Sequence, residues 1–307
     1  MEIYLSVREA SGGRSGHVME PTKIAIITDS CADLTPQQIA ENHIYVVPLR
    51  VECLDGDYRD GVDITSEDVY RRLHAGELPK TSLPLGADVT SVITEAAKDG
   101  YDGAVAIMLS SGLSGTYNLM RIAGEESTED GFPLRVYDSL SGSLGYGMTI
   151  LQLAEDLRGG MGWEEVTEVR IPQLLKGAHP FFSVDTLEYL MKGGRIGRVT
   201  ATAGTLLKIK PILTFFEDGQ LNSVAKVRGK AQVINKLVDL VVEACGEHKK
   251  YNLATAHGGD PENMEILKEK LVAALPDYDH IWSGIIDSTL SVYIGDGILG
   301  AAVQILD

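Results

Sequence analysis

A repeating unit constrains this chain more than any other feature: a short apolar run ends in small hydroxylated residues, and a helix then opens. Lys23–Ile27 runs into Thr28-Asp29-Ser30, Gly103–Leu109 into Ser110 to Thr116, and Leu134–Tyr137 into Asp138-Ser139. Strands alternating with helices predict a parallel sheet with helical crossovers. The joints carry helix signals of their own. Thr35 with Pro36 and Gln38 forms a capping box. A helix from Thr65 puts Val69 and Leu73 on one face and ends at Gly76 and Pro79. Further helices are predicted at Asp88–Lys98 and Gly142–Leu157. Ile44–Val51 predicts one strand, at an edge or bulged, because Pro48 cannot donate to a ladder. Leu54–Gly61 predicts an acidic turn.

The second half has a different rhythm. Ile212–Phe216 and Asn222–Val227 flank Asp218-Gly219, a hairpin signal. Tyr251–Ala256, Ile281–Ile286 and Gly300–Ile305 predict strands, Gln232–Ala244 a helix, and Pro261 starts another. The glycine-dense segment Arg158-Gly159-Gly160-Met161-Gly162 near the midpoint is the expected boundary. The expected organisation is a disordered extension over residues 1–21, a parallel α/β domain over 22–160 and a mixed-sheet α/β domain over 161–307.

Composition narrows the function. The formal net charge of −17 argues against duplex nucleic acid, which needs a basic footprint, and against a polybasic membrane anchor. No apolar stretch approaches the ~20 residues of a spanning helix, and the first twenty residues lack a secretory apolar segment. Cys31, Cys53 and Cys245 are too scattered for a disulfide framework or a zinc site, so a cytoplasmic protein is expected.

Catalytic patterns mostly fail. Ser114 lacks the Gly-x-Ser-x-Gly frame, because residue 116 is Thr. There is no phosphate-binding Gly-x-x-x-x-Gly-Lys motif and no dinucleotide fingerprint, and the seven histidines show no metal spacing, so neither a cofactor nor a metal is expected. The hydroxyl-rich junctions fit either of two readings: helix N-caps, or an anion site where several strand ends meet. Asp29 and Asp138 are either bases or turn-orienting groups. His257, before a Pro-led helix, is either a cleft group or a solvated loop residue. Arg195, between Gly194 and Ile196, is either an anion ligand or one half of a salt bridge.

Five segments occur in order: Thr28-Asp29-Ser30, Lys80-Thr81-Ser82, Ser110-Ser111-x-Leu113-Ser114-Gly115-Thr116-Tyr117, Gly193-Gly194-Arg195-Ile196 and Lys210-Pro211-Ile212-Leu213. The ordered set resembles the DegV family, including the FakB proteins, the fatty-acid-binding subunits of bacterial fatty acid kinase. That resemblance implies a two-domain α/β fold with a fatty acid between the domains. It implies a carboxylate held by Thr81, Ser82, Ser111 and Ser114, and presentation of the acyl group to a separate ATP-using kinase. It also implies that Arg195 serves that step or the docking of the kinase, with Asp29, Ser30 and His257 around the cleft. The rival reading from another class is a phosphotransferase or hydrolase using Ser114 or His257.

One segment departs from the family's pattern. Where relatives commonly have His-Thr-Gly-Pro-Gly, this chain has Tyr293-Ile294-Gly295-Asp296-Gly297. Tyr293 is expected to replace one hydrogen bond of the histidine without its positive charge, and Asp296 to add a negative one. Burial of an acyl chain gains about 0.8 kcal/mol per methylene, so roughly 15 methylenes supply about 12 kcal/mol gross. The expected lining is Met191, Ile196, Leu206, Leu207, Ile209 and Ile212; the alternative is that these residues form the second domain's core.

Overall fold

The computed structural model describes residues 20–199 and 209–307. Within them the chain builds the α/β architecture expected, with one parallel sheet and one mixed sheet. β1 (Ile24–Asp29), buried throughout, leads through a short turn into α1 (Pro36–Glu41), whose Thr35–Gln38 capping box is formed. β2 (Ile44–Val47) lies parallel to β1, pairing Ile26 with Ile44, and occupies a sheet edge.

The single strand expected over Ile44–Val51 is two. The chain leaves the parallel sheet at Pro48, which has no N–H to continue the ladder. β3 (Arg50–Cys53) instead pairs antiparallel with β4 (Gly56–Arg59) and later with β5 (Lys80–Ser82). The segment expected as an acidic turn is therefore half strand, turning at Leu54-Asp55 and again at Gly61. Between β4 and β5 lies α2 (Ser66–His74), capped by Thr65.

α3 (Gly86–Lys98), β6 (Gly103–Met108), α4 (Thr116–Glu129), β7 (Leu134–Asp138) and α5 (Leu144–Arg158) follow. The first sheet is thus parallel, in the order β2-β1-β6-β7. α5 is buried from Leu144 to Ala154 on every face. A helix apolar all round needs partners on all sides. Ile150 and Leu153 join Ile26 and Ile107 of the first sheet. Leu144 and Met148 pack with Ala254 and Ala302 of the second.

Beyond the glycine-dense segment, a π-helical stretch (Glu165–Arg170) continues into α6 (Ile171–Gly177). Next come β8 (Ala178–Ser183), α7 (Glu188–Lys192), the hairpin β9 (Ile209–Phe215) and β10 (Leu221–Arg228), and α8 (Lys230–Cys245). β11 (Tyr251–Gly258), α9 (Pro261–Ala274), β12 (Ile281–Ile285), α10 (Ser288–Ile294) and β13 (Ile298–Ile305) complete the chain. The second sheet runs β10-β9-β8-β13-β11-β12, antiparallel except for the β11–β12 pair. No helix among the described residues is long and apolar enough to cross a membrane.

Candidate functional site

Along the β11–β13 ladder, Ala254 faces Ala302 and Ala256 faces Gly300. Side chains this small leave space in front of the sheet. The result is a narrow cavity of about 100 Å³, open at its mouth, walled by Leu144, Phe182, Leu190, Ala256, Ile286 and Ile298 among others. Its wall is overwhelmingly apolar, as a pocket for an aliphatic ligand requires.

Four polar side chains from four separate segments reach the same wall: Thr81 of β5, Ser114 after β6, Arg195 after α7 and Tyr293 of α10. Thr81 Oγ1 and the Tyr293 hydroxyl share a 2.5 Å hydrogen bond. The Arg195 guanidinium carbon stands 5.0 Å from the centre of the Tyr293 ring, within cation–π range. Arg195 donates through Nε to Leu113 O (3.2 Å) and through a terminal nitrogen to Gly193 O (2.8 Å). Among the described residues no carboxylate lies within ion-pair reach of it, so N–H groups of its five-donor fork remain for an anion. Ser114 Oγ pairs with Thr116 Oγ1 at 2.9 Å.

Gly193 and Gly194 make this packing possible. A Cβ on Gly193 would stand 2.4 Å from the Tyr293 ring, so only glycine lets the ring lie against the backbone there. Gly194 turns the chain with φ of +71°, which glycine adopts without strain.

The remaining candidates lie elsewhere. Ser82 and Ser111 do not line the cavity; Ser111 is exposed, and its N–H donates to Asp138. Asp29 is fully buried and accepts from Leu109 N, Cys31 N and the Tyr146 hydroxyl, which orients the turn after β1. Ser30 donates to Asp60 and accepts from Leu49 N. His257 is buried at the end of β11, away from the cavity wall, and Nδ1 accepts from Asp260 N; burial lowers its pKa. Ser114 and His257 therefore do not share the cavity wall. Asp296 sits at the surface 3.2 Å from His74 rather than on the cavity wall. Of the expected apolar lining, Ile212 is core, Met191 is exposed, and neither Ile196 nor Ile209 touches the cavity. Leu206 and Leu207 lie outside the described residues.

Sequence reasoning missed a buried carboxyl cluster beneath this site. Asp33 follows β1, Asp60 follows β4, and Asp287 caps α10, the helix that carries Tyr293. Asp287 N–H donates to Asp33 Oδ1 and Ser288 N–H to Asp60 Oδ1, so two carboxyls hold the start of that helix. The Ser143 hydroxyl, at a residue with φ of +57°, also donates to Asp33. Burial raises Asp29 to about 6 and Asp33 to about 7, and lifts Asp287 well above the carboxylate range. Asp287 Oδ2 is shielded and has no hydrogen-bond partner among the described residues. Cys31 Sγ lies within 4.8 Å of Asp60 and Asp287 oxygens, but burial raises its pKa and keeps it a thiol. The group is a joint of carboxyls that holds the start of α10. No spacing rule links residues 33, 60 and 287; the only local signal was Asp287-Ser288 as an N-cap.

Comparison with known proteins is consistent with this geometry. A DegV domain-containing protein of Clostridium acetobutylicum is 38% identical over 281 residues, covering 91% of this chain and 97% of that protein. A fatty-acid-binding DegV protein of Thermus thermophilus superposes with a TM-score of 0.85 at 28% identity, over 92% of this chain and all of the other. A stearic-acid-binding protein of Eubacterium ventriosum does so with a TM-score of 0.83 at 26% identity, over 92% of this chain and 98% of its own. The family model described as "Uncharacterised protein, DegV family" matches residues 23–305, and the chain belongs to the DegV family.

Proposed function

We propose that this protein binds a long-chain fatty acid in the cavity, methyl end among the apolar walls and carboxylate beside Tyr293, Thr81, Ser114 and Arg195. The observation that carries the reading is the juxtaposition itself: a narrow aliphatic cavity with hydroxyls and an arginine free of carboxylate partners among the described residues. Apolar burial supplies the affinity and the polar end fixes orientation. The fatty-acid-binding relatives support the same assignment. On this reading the unit over residues 22–160 supplies Thr81 and Ser114, and the unit over residues 161–307 supplies Arg195 and Tyr293.

The finer reading is that the protein is a carrier, cytoplasmic and without independent catalysis, which presents the carboxylate to a separate ATP-dependent fatty acid kinase. Its support is the ordered resemblance to FakB proteins and the position of Arg195 beside the polar end, where it can pair with a phosphoryl donor's charge. Organic extraction of the purified protein followed by mass spectrometry tests the first reading. A long-chain fatty acid in near-equimolar amount is expected. Absence of any such acid, with no thermal shift on adding saturated or unsaturated acids, contradicts it. Incubation with ATP and fatty acid tests the second: acyl phosphate is expected only when a fatty acid kinase is added, and its formation by this chain alone contradicts the carrier reading.

A further inference from the structure

Three more hydroxyls line the cavity away from Thr81 and Ser114: Ser143, Thr255 and Thr289. Two are engaged. Ser143 Oγ donates to Asp33, and Thr255 Oγ1 pairs with Ser283 Oγ at 3.0 Å. Thr289 is different. The residue is 2% exposed, and its Oγ1 is sealed from solvent with no hydrogen-bond partner among the described residues. The carbonyl three residues back, a common outlet for a helical threonine, accepts from the Ser66 hydroxyl and not from Thr289. A buried hydroxyl without a partner is costly, and valine has the same shape without that cost. The neighbours Ile286, Leu290 and Ile294 on the same wall are all aliphatic.

Thr289 and Tyr293 stand four residues apart on α10. They therefore share a face of the helix, with Cβ atoms about 6 Å apart. A ligand whose carboxylate meets Tyr293 passes Thr289 within the carboxyl-proximal half of its chain. To meet such a ligand the Thr289 side chain must turn about χ1 to another staggered position, with Oγ1 then facing the cavity. A methylene cannot answer it; an oxygen on the chain can accept from it, and a hydroxyl can both accept from it and donate to it.

We propose that the ligand class of this cavity is long-chain fatty acids oxygenated in the carboxyl-proximal half, hydroxy acids foremost, with the Thr289 hydroxyl bonded to that oxygen. The inference rests on the fatty-acid reading above and narrows it.

Titration calorimetry of delipidated protein tests it with stearate, with hydroxystearates whose hydroxyl lies in the carboxyl-proximal half, and with a hydroxystearate substituted near the methyl end. The wild type is expected to bind at least one proximal hydroxy acid roughly fivefold tighter than stearate, the effect of one neutral hydrogen bond, and the distal one no tighter. Thr289→Val is expected to erase that preference and to bind stearate at least as tightly as the wild type. Thr289→Ser, which keeps the hydroxyl, is expected to retain the preference and guards against a folding defect in the valine variant. An unchanged preference in Thr289→Val, or a wild type that favours stearate over every proximal hydroxy acid, overturns the proposal while leaving fatty-acid binding intact. Failure of the wild type to bind any of the acids overturns the fatty-acid reading, and this proposal with it.

Discussion

Tyr293 decides how the polar end of the cavity is built. Its phenol bonds Thr81, its ring carries the Arg195 guanidinium, and Gly193 leaves room for both. On the proposed reading a phenol and a nearby arginine meet the carboxylate where a histidine could have done so, and binding then does not depend on an imidazole's protonation. The two loop serines are separated by position. Ser114 reaches the cavity wall and Ser111 does not. Ser114→Ala is therefore expected to cost about 1 kcal/mol of fatty-acid affinity, and Ser111→Ala to leave it nearly unchanged, both read by calorimetric titration with stearate. The serines of the motif were legible in the sequence. Which of them lines the cavity was not, because that follows from the turn after β6, where Asp138 holds the Ser111 N–H.

At the scale of elements, α10 is the piece on which the site depends and the piece that local pattern did not predict. It is only seven residues long, and Asp287 is its N-cap. Its anchoring carboxyls come from segments more than 200 residues away in the chain, beyond the reach of any periodicity. The longer elements were legible because burial and capping are local: the β1 and β6 runs, the Thr35 and Thr65 caps and the β9–β10 hairpin all form where the pattern places them. The β3–β4 hairpin was missed because its residues read as acidic and turn-forming, and tertiary pairing overrode that. The joint has a pH consequence. Asp29 and Asp33 titrate at about 6 and about 7 in the folded protein because burial disfavours their charge, against the model-peptide value of 3.8. The folded state thus holds more protons, and the stability these groups contribute is complete below about pH 4 and lost as pH rises through about 7. Urea unfolding from pH 5 to 8 is expected to show stability falling from this source. Asp33→Asn is expected to reduce that slope, and an identical slope in the variant contradicts the assignment.

The whole molecule places two dissimilar sheets on either side of one buried helix, α5, and lets the small residues of β11 and β13 hollow out a cavity beside it. On the proposed reading this apolar cavity takes the lipid, with one arginine among the described residues at its polar end. The alternating strand–helix pattern, the mixed second sheet and the ordered motifs made the fold legible in the sequence. The cavity was not, because it arises from where Ala254, Ala256, Gly300 and Ala302 face one another, and alanines and glycines in a strand give no signal of empty space. The most direct test of the account is a crystal structure of the delipidated protein reloaded with a fatty acid brominated at its methyl end. The account predicts anomalous bromine density within the apolar cavity and a carboxylate within hydrogen-bonding distance of the Tyr293 hydroxyl or Arg195. Bromine density at Tyr293, or an acid bound outside the cavity walled by Leu144, Phe182 and Ile298, would contradict it.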